Sequence, residues 1–289
     1  MEMSFGAVAR IRGLAESTPR EKDAGGGQED VSEHWPLTGK LELDGVTAVY
    51  KPESEKPHTA LDNISFTVEP GDTVGIVGRT GSGKSSLLLA LLHLVEYSGT
   101  IRLDGRDIKT VERKLLRTRI TTVPQGGLEL LGSVRFNMDP FKFGPRQEQD
   151  AYPNDEDLAT ILRCVGLWST IAEAGGLDVT MAKLKLSHGQ RQLFQLARAI
   201  LHHEVTGSKL LLMDEGTASM DAETETRVRH VMAEAFSACT KVIISHRSTL
   251  LAAAQVVVRL DQGRARVTRQ DGIDGEKSSE NGEGGSSRL

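Results

Sequence analysis

Gly78-Arg79-Thr80-Gly81-Ser82-Gly83-Lys84-Ser85 stands directly after the apolar run Thr73 to Val77 and directly before the helical run Ser86 to Val95. This is the strand, loop and helix setting of a P-loop, with glycines, lysine and serine at the required spacing. Gly78, Gly81 and Gly83 let backbone N–H groups curl around the β- and γ-phosphates of a nucleotide, and the helix start adds a favourable dipole. Lys84 supplies a point charge, and the Ser85 hydroxyl can ligate Mg²⁺. Arg79, Thr80, Ser82 and Ser86 complete the stretch expected to contact the ligand. The bland alternative is a Gly-rich turn before a helix.

Further along, Leu210-Leu211-Leu212-Met213-Asp214-Glu215 reads as an apolar strand ending in two carboxylates, where open α/β sheets place their ligands. It is a Walker B candidate: Asp214 would hold Mg²⁺ through water, and Glu215 would polarise an attacking water. A strand ending in Asp-Glu is common in isolation, and its weight comes from the P-loop.

Short β-type runs come first, at Leu41 to Tyr50, Ile64 to Val68 and Thr73 to Val77, with alternation at Ile64, Phe66 and Val68. They suggest an initial antiparallel sheet. Nearly all-apolar strands at Gly75 to Val77, Leu210 to Met213 and Val242 to Ile244 indicate parallel strands covered on both faces. The segment 126–204 has helical periodicity instead, as at Leu158, Ile161, Leu162 and Val165, then Leu193, Leu196, Ala197 and Ile200. The fold class is therefore α/β, with a mainly parallel core sheet, an N-terminal antiparallel β-subdomain and an inserted helical subdomain. Residues 1–38 read as a linker, 39–268 as the folded domain, and 269–289, nearly all Gly, Ser and charge, as a disordered tail.

With 35 basic against 40 acidic residues, the net charge of -5 gives no global pull toward nucleic acid, and no nucleic-acid partner is expected. The longest apolar runs, Leu87 to Leu92 and Val256 to Val258, fall short of the roughly 18–20 residues a membrane span needs, so the chain by itself is expected to be soluble. Cys164 and Cys239 lack metal-ligand spacing and read as packing residues of a reducing compartment.

Leu186-Ser187-His188-Gly189-Gln190-Arg191-Gln192-Leu193 decides between families. Ser187 with Gln190 three residues on forms a capping box opening an amphipathic helix through Ala197 to Leu201. In its place before Asp214, the stretch resembles the signature motif of the ATP-binding cassette (ABC) ATPases. An ordinary well-capped core helix is the other reading. The resemblance implies ATP and Mg²⁺ as cofactors, and a second cassette as partner, whose P-loop nucleotide would face Ser187, Gly189 and Gln190. It further implies that Tyr50 stacks on adenine, that Gln125 approaches Mg²⁺ and links the core to the helical subdomain, and that His246 hydrogen-bonds the γ-phosphate. On this reading Glu215, His246, Lys84 and Gln125 carry the catalysis, and Ser85, Gln125 and Asp214 hold the metal. Ala218 to Asp221 resembles the D-loop that crosses the dimer interface. A half-buried strand tyrosine, a surface glutamine, a helix-initiating aspartate and a structural histidine are the plain alternatives for Tyr50, Gln125, Asp221 and His246.

Gly132-Ser133-Val134-Arg135-Phe136-Asn137-Met138-Asp139-Pro140-Phe141 is similar to the second cassette of the multidrug resistance-associated (subfamily C) exporters, as are Ala7 to Ile11 and Trp35 to Gly39. That implies a transmembrane domain ending near Met1, and a cassette held at the cytoplasmic membrane face as part of a transporter. His188 in the signature, Gly216 after Glu215, and the stretches Gly126 to Leu131 and Lys142 to Glu156 depart from the family pattern. A soluble non-transport ABC ATPase is the competing class. A regulatory module that binds nucleotide without hydrolysis is a third, opposed by the intact Glu215 and His246.

Overall fold

The computed structural model describes residues 12–13, 31–32, 34–50, 57–140, 153–214, 222–245 and 254–270. Strands β1 (Leu41–Tyr50) and β2 (His58–Val68) pair antiparallel, with Ile64, Phe66 and Val68 inward and Ser65 outward, as period-two alternation requires. Strand β3 (Thr73–Gly78) leaves this pair and leads through the glycine-rich loop into α1 (Lys84–Leu91). The chain then returns to the first sheet through β4 (Ser98–Leu103) and β5 (Arg106–Asp107). Asp104 and Gly105 both take positive φ, 51° and 76°, between the paired Leu103 and Arg106, which is the two-residue turn that matches strand twist.

Helix α2 (Arg113–Thr118) and strand β6 (Ile120–Val123) precede a run without strands: α3 (Val134–Met138), α4 (Asp155–Cys164), α5 (Trp168–Glu173), α6 (Met181–Leu184) and α7 (His188–Thr206). Strand β7 (Leu210–Asp214), helix α8 (Ala222–Ala235), strand β8 (Thr240–Ile244) and the hairpin β9 (Val256–Asp261) with β10 (Arg264–Arg269) complete the described fold. The four-stranded antiparallel sheet has the order β2-β1-β4-β5, and the six-stranded sheet the order β10-β9-β3-β8-β7-β6. All neighbours in the second sheet are parallel except β10 on β9. The expected architecture is therefore present, with one correction. Thr73 to Val77 belongs to the parallel sheet, where both faces are buried, and the antiparallel sheet is completed by strands that follow the glycine-rich loop.

Successive residues of the parallel strands feed two separate cores. Leu210, Leu212, Val242 and Ile244 pack with α1 and the antiparallel sheet, while Leu211, Met213 and Ile243 pack with α7 and α8. Because α1 lies in the first core, it buries Leu87, Leu88, Ala90 and Leu91, each leucine worth about 1.5–3 kcal/mol of transfer free energy.

The amino-terminal edge of this apolar sheet is polar and buried. Thr121 Oγ1 bonds both Ser208 Oγ and, at 2.9 Å, His202 Nδ1. His203 Nδ1 bonds the Ser208 carbonyl oxygen at 2.9 Å, Cys239 Sγ donates to the same oxygen at 3.4 Å, and Thr240 Oγ1 accepts from Gly71 N at 3.1 Å. Cys239 is thus a packing residue as expected, whereas Cys164 is exposed. At the chain entry, Asp104 accepts from the backbone N–H of Leu37, Thr38 and Lys40 and from Thr38 Oγ1. Burial opposes its charge, but these bonds outweigh burial and hold the carboxyl below its ordinary range.

Burial also pushes the His203 imidazole below its ordinary value, and the nearby Lys209 charge acts in the same direction. The neutral form is favoured by folding, so this contribution is complete above the unfolded value of about 6.5 and drains away as pH falls from there through the lowered folded value. Thermal melts from pH 8 to 5 are expected to show a falling Tm below about pH 6.5, with a flatter slope in His203→Gln.

Candidate functional site

The glycine-rich loop has little freedom because three backbones meet around it. A methyl group on Gly83, which has φ 106°, would run into the Ala60 carbonyl oxygen of β2, and one on Gly78 would run into the Leu260 carbonyl oxygen and Ser82 Oγ. Gly81 meets nothing, and its φ of 79° alone selects glycine. The β9–β10 turn clasps the loop from outside: Gly263 N donates to the Ser82 carbonyl oxygen at 3.2 Å, and Asp62 N donates to the Gly263 carbonyl oxygen at 2.8 Å.

Lys84 is only 8% exposed, and its Nζ donates to the carbonyl oxygens of Gly78 at 2.8 Å and Arg79 at 3.0 Å. Among the described residues no carboxylate pairs with it. A buried ammonium held only by carbonyls lacks a counter-charge, which an anion in the loop would supply. Ser82 Oγ is buried without a partner, a further donor facing the loop interior. Ser85 is exposed and Ser86 half-buried at the first turn of α1. The Tyr50 hydroxyl donates to Ser86 Oγ at 3.3 Å, which brings the end of β1 to the lip of the loop with the ring 37% exposed. These features fit a nucleotide: a glycine cradle, one buried cation and an accessible aromatic ring at its lip.

The other positions named from sequence converge by sheet topology. Strands β3, β8, β7 and β6 are neighbours and parallel, so their carboxyl ends share one edge. Asp214 lies opposite Ile244, which lies opposite Ile76, so Asp214 is level with the end of β3 two strands away, about 10 Å across. Gln125 follows β6 at the same edge, since Val123 is paired with Met213. Gln125 is exposed and Asp214 half-buried. Glu215, Gly216, the stretch Ala218 to Asp221 and His246 lie outside the described residues; the strands that lead to Glu215 and His246, β7 and β8, end at this edge.

Ser187 and Gln190 form the expected capping box. Ser187 Oγ accepts from Gln190 N at 3.1 Å, and Ser187 N donates to Gln190 Oε1 at 2.9 Å. The helix is longer than its apolar face indicated, running to Thr206 and ending at Gly207 in the left-handed conformation. Ser187 and His188 are exposed, and a methyl group on Gly189 would make only ordinary contact, 3.6 Å from Thr224 Cγ2. The side chains of Ser187 and Gln190 bond each other's backbone N–H, and the neighbour of Gly189 is Thr224.

Residues not singled out from sequence also border the site. Arg259 and Asp261 of β9 line, with Gly78, Arg79, Thr80 and Ser245, an open cavity of about 860 Å³ beside the loop. Asn137, buried, holds the backbone of Leu130, and Arg198 holds that of Leu128. Arg198 acts on a segment 70 residues away, whereas Asn137 acts on backbone only seven residues upstream.

The family model described as ABC transporter matches residues 61–218. The chain belongs to the ABC transporter family, as an ATP-binding domain. It is 38% identical over 270 residues to "ABC multidrug transporter B" of Aspergillus fumigatus, covering 91% of this chain and 17% of that protein. It is also 38% identical to "ABC transporter ecdL" of Aspergillus rugulosus, again over 91% of this chain and 17% of the relative. The chain thus spans about a sixth of the length of these relatives. A bacterial Atm1-family ABC exporter with ATP bound superposes with a TM-score of 0.75 at 25% identity, over 92% of this chain and 44% of that one. No helix among the described residues is long and apolar enough to cross a membrane.

Two glycine substitutions separate internal packing from external contact. Gly83→Ala is expected to lower Tm by several degrees, because the Ala60 carbonyl cannot yield, and to remove nucleotide binding with it. Gly189→Ala is expected to leave Tm within about a degree of the parent, since the methyl group meets only ordinary van der Waals contact with Thr224. Differential scanning calorimetry of the two variants checks both.

Proposed function

We propose that this chain hydrolyses ATP as one half of a head-to-tail cassette pair and so drives an exporter, in the manner of the second cassette of the multidrug resistance-associated exporters. The observation that carries the reading is the buried Lys84 ammonium, held by the loop's own carbonyls in a cradle without room for side chains. The N–H groups of Gly78 to Ser86 and the Lys84 amine bind the β- and γ-phosphates. Tyr50 offers its ring to the adenine. Ser85, Asp214 and Gln125 are the oxygen donors suited to Mg²⁺, which when bound would offset the charge of the phosphates. Glu215 orients and deprotonates the attacking water, and His246 donates to the γ-phosphate.

Ser187, Gly189 and Gln190 belong to a different composite site. Ser187 and His188 are exposed, Gly189 and Gln190 half-buried, and the chain's own packing gives no reason for glycine at 189. A capped helix start with a free face suits the γ-phosphate held by a second cassette's loop. The names of the relatives, multidrug and other ABC transporters, support export as the work that the hydrolysis drives, through a transmembrane domain.

Lys84→Ala is expected to weaken ATP binding about a hundredfold, the loss of a charge-assisted contact to phosphate. Glu215→Gln is expected to keep ATP, to accumulate as a dimer in gel filtration, and to turn over about a hundredfold or more slowly. Hydrolysis at the parent rate by the Gln variant would remove Glu215 from the role of base.

A further inference from the structure

Helix α7 carries a buried polar stripe where its apolar periodicity leads one to expect none. Gln192, Gln195 and Arg198, three residues apart, stack along one side of the helix; the two glutamines are 8% and 5% exposed. Arg198 is half-buried, and burial lowers its affinity for the proton. Polar side chains are kept under cover at a cost unless they hold something.

Of the three, Arg198 holds the segment that follows Gln125, and Gln195 packs against it with its Nε2 unbonded among the described residues. Arg198 Nη1 donates to the Leu128 carbonyl oxygen at 2.8 Å. Gln195 lies beneath Gly127 so closely that a methyl group there would sit 3.2 Å from Gln195 Nε2. Asn137, fully buried, accepts from Leu130 N at 2.8 Å and donates to the Leu130 carbonyl oxygen at 2.9 Å, while its Nδ2 also donates to the Ser133 carbonyl oxygen at 3.0 Å. Two carbonyls of the segment, those of Leu128 and Leu130, are therefore bound from two helices, one by α7 and one by α3.

We infer that Arg198 and Asn137 are positioning residues that clamp the segment after Gln125 onto α7 and α3, two helices packed against each other, so that Gln125 and Ser187 are carried by one rigid body. The clamp needs no side-chain identity in residues 126–131, since both contacts are to backbone; this accommodates the unusual Gly126-Gly127-Leu128-Glu129-Leu130-Leu131 sequence. The role assigned to Gln125 rests on the function proposed above. The clamp itself is a property of the fold.

The test compares Arg198→Met, which keeps the apolar stem and removes the donors, with Arg198→Lys, which keeps one donor and the charge. Amide hydrogen exchange is measured on the nucleotide-free chain, and affinity for a non-hydrolysable ATP analogue is measured with and without Mg²⁺, alone and combined with Gln125→Ala. Arg198→Met is expected to speed exchange in residues 126–131 by roughly tenfold, the loss of one charge-assisted bond. It should also reduce the Mg²⁺-dependent gain in affinity as Gln125→Ala does, with no further loss in the double variant, and Arg198→Lys should recover most of both. Unchanged exchange in 126–131, exchange raised throughout α7, or losses that multiply in the double variant would each overturn the clamp. Failure of the parent chain to bind the analogue would instead overturn the functional reading, and the exchange data alone would then decide whether the segment is clamped.

Discussion

The phosphate loop depends on a meeting of three backbones at Gly263. Its N–H holds the Ser82 carbonyl and its carbonyl takes the Asp62 N–H, so a hairpin turn near one end of the described chain is wedged between β2 and the loop. The same strand puts the Ala60 carbonyl against Gly83. Backbone contacts of this kind leave no side chain to adjust, and the loop is preorganised by parts of the chain that lie far apart in sequence. Preorganisation matters here because N–H groups that already converge spend little ordering entropy when an anion arrives.

Most of what is local was legible from the residues. Leu41 to Tyr50 reads as a strand to its last residue, and the Ser187–Gln190 box opens the helix where capping chemistry places it. The loop from Gly78 to Ser85 announces itself, because each residue type has a job that few others can do. What escaped was decided by distant partners. Thr73 to Val77 alternates no differently in either sheet; its parallel pairing with β8 on one edge and β9 on the other settles its place. The β4–β5 hairpin did carry a local sign, Asp104-Gly105, which sits at the turn with both residues at positive φ. Arg198 carried none, since an arginine-bearing helix face ordinarily faces water.

The site as a whole is an arrangement of strand ends. β3, β7 and β6 deliver the loop, Asp214 and Gln125 to one edge of the six-stranded sheet, and β8 ends there at Ser245, while Ser187, at the start of α7, is exposed. One half of the chemistry is thus built into the sheet and the other half is displayed outward.

The buried hydroxyls at the opposite edge have a consequence for accuracy. Leu210 to Met213 is apolar on both faces, so hydrophobicity alone would scarcely object if β7 slid by one residue, exchanging the side chains offered to the two cores. Thr121 and Ser208 do object, because their hydroxyls bond each other between β6 and the start of β7, and a slip would strand both in a dry interior. They act as the zero mark of a ruler whose other end carries Asp214. A slip of one residue would move that carboxylate by about 3.3 Å and turn it to the other face, so the placement of Asp214 is calibrated by hydroxyl groups a full strand length away.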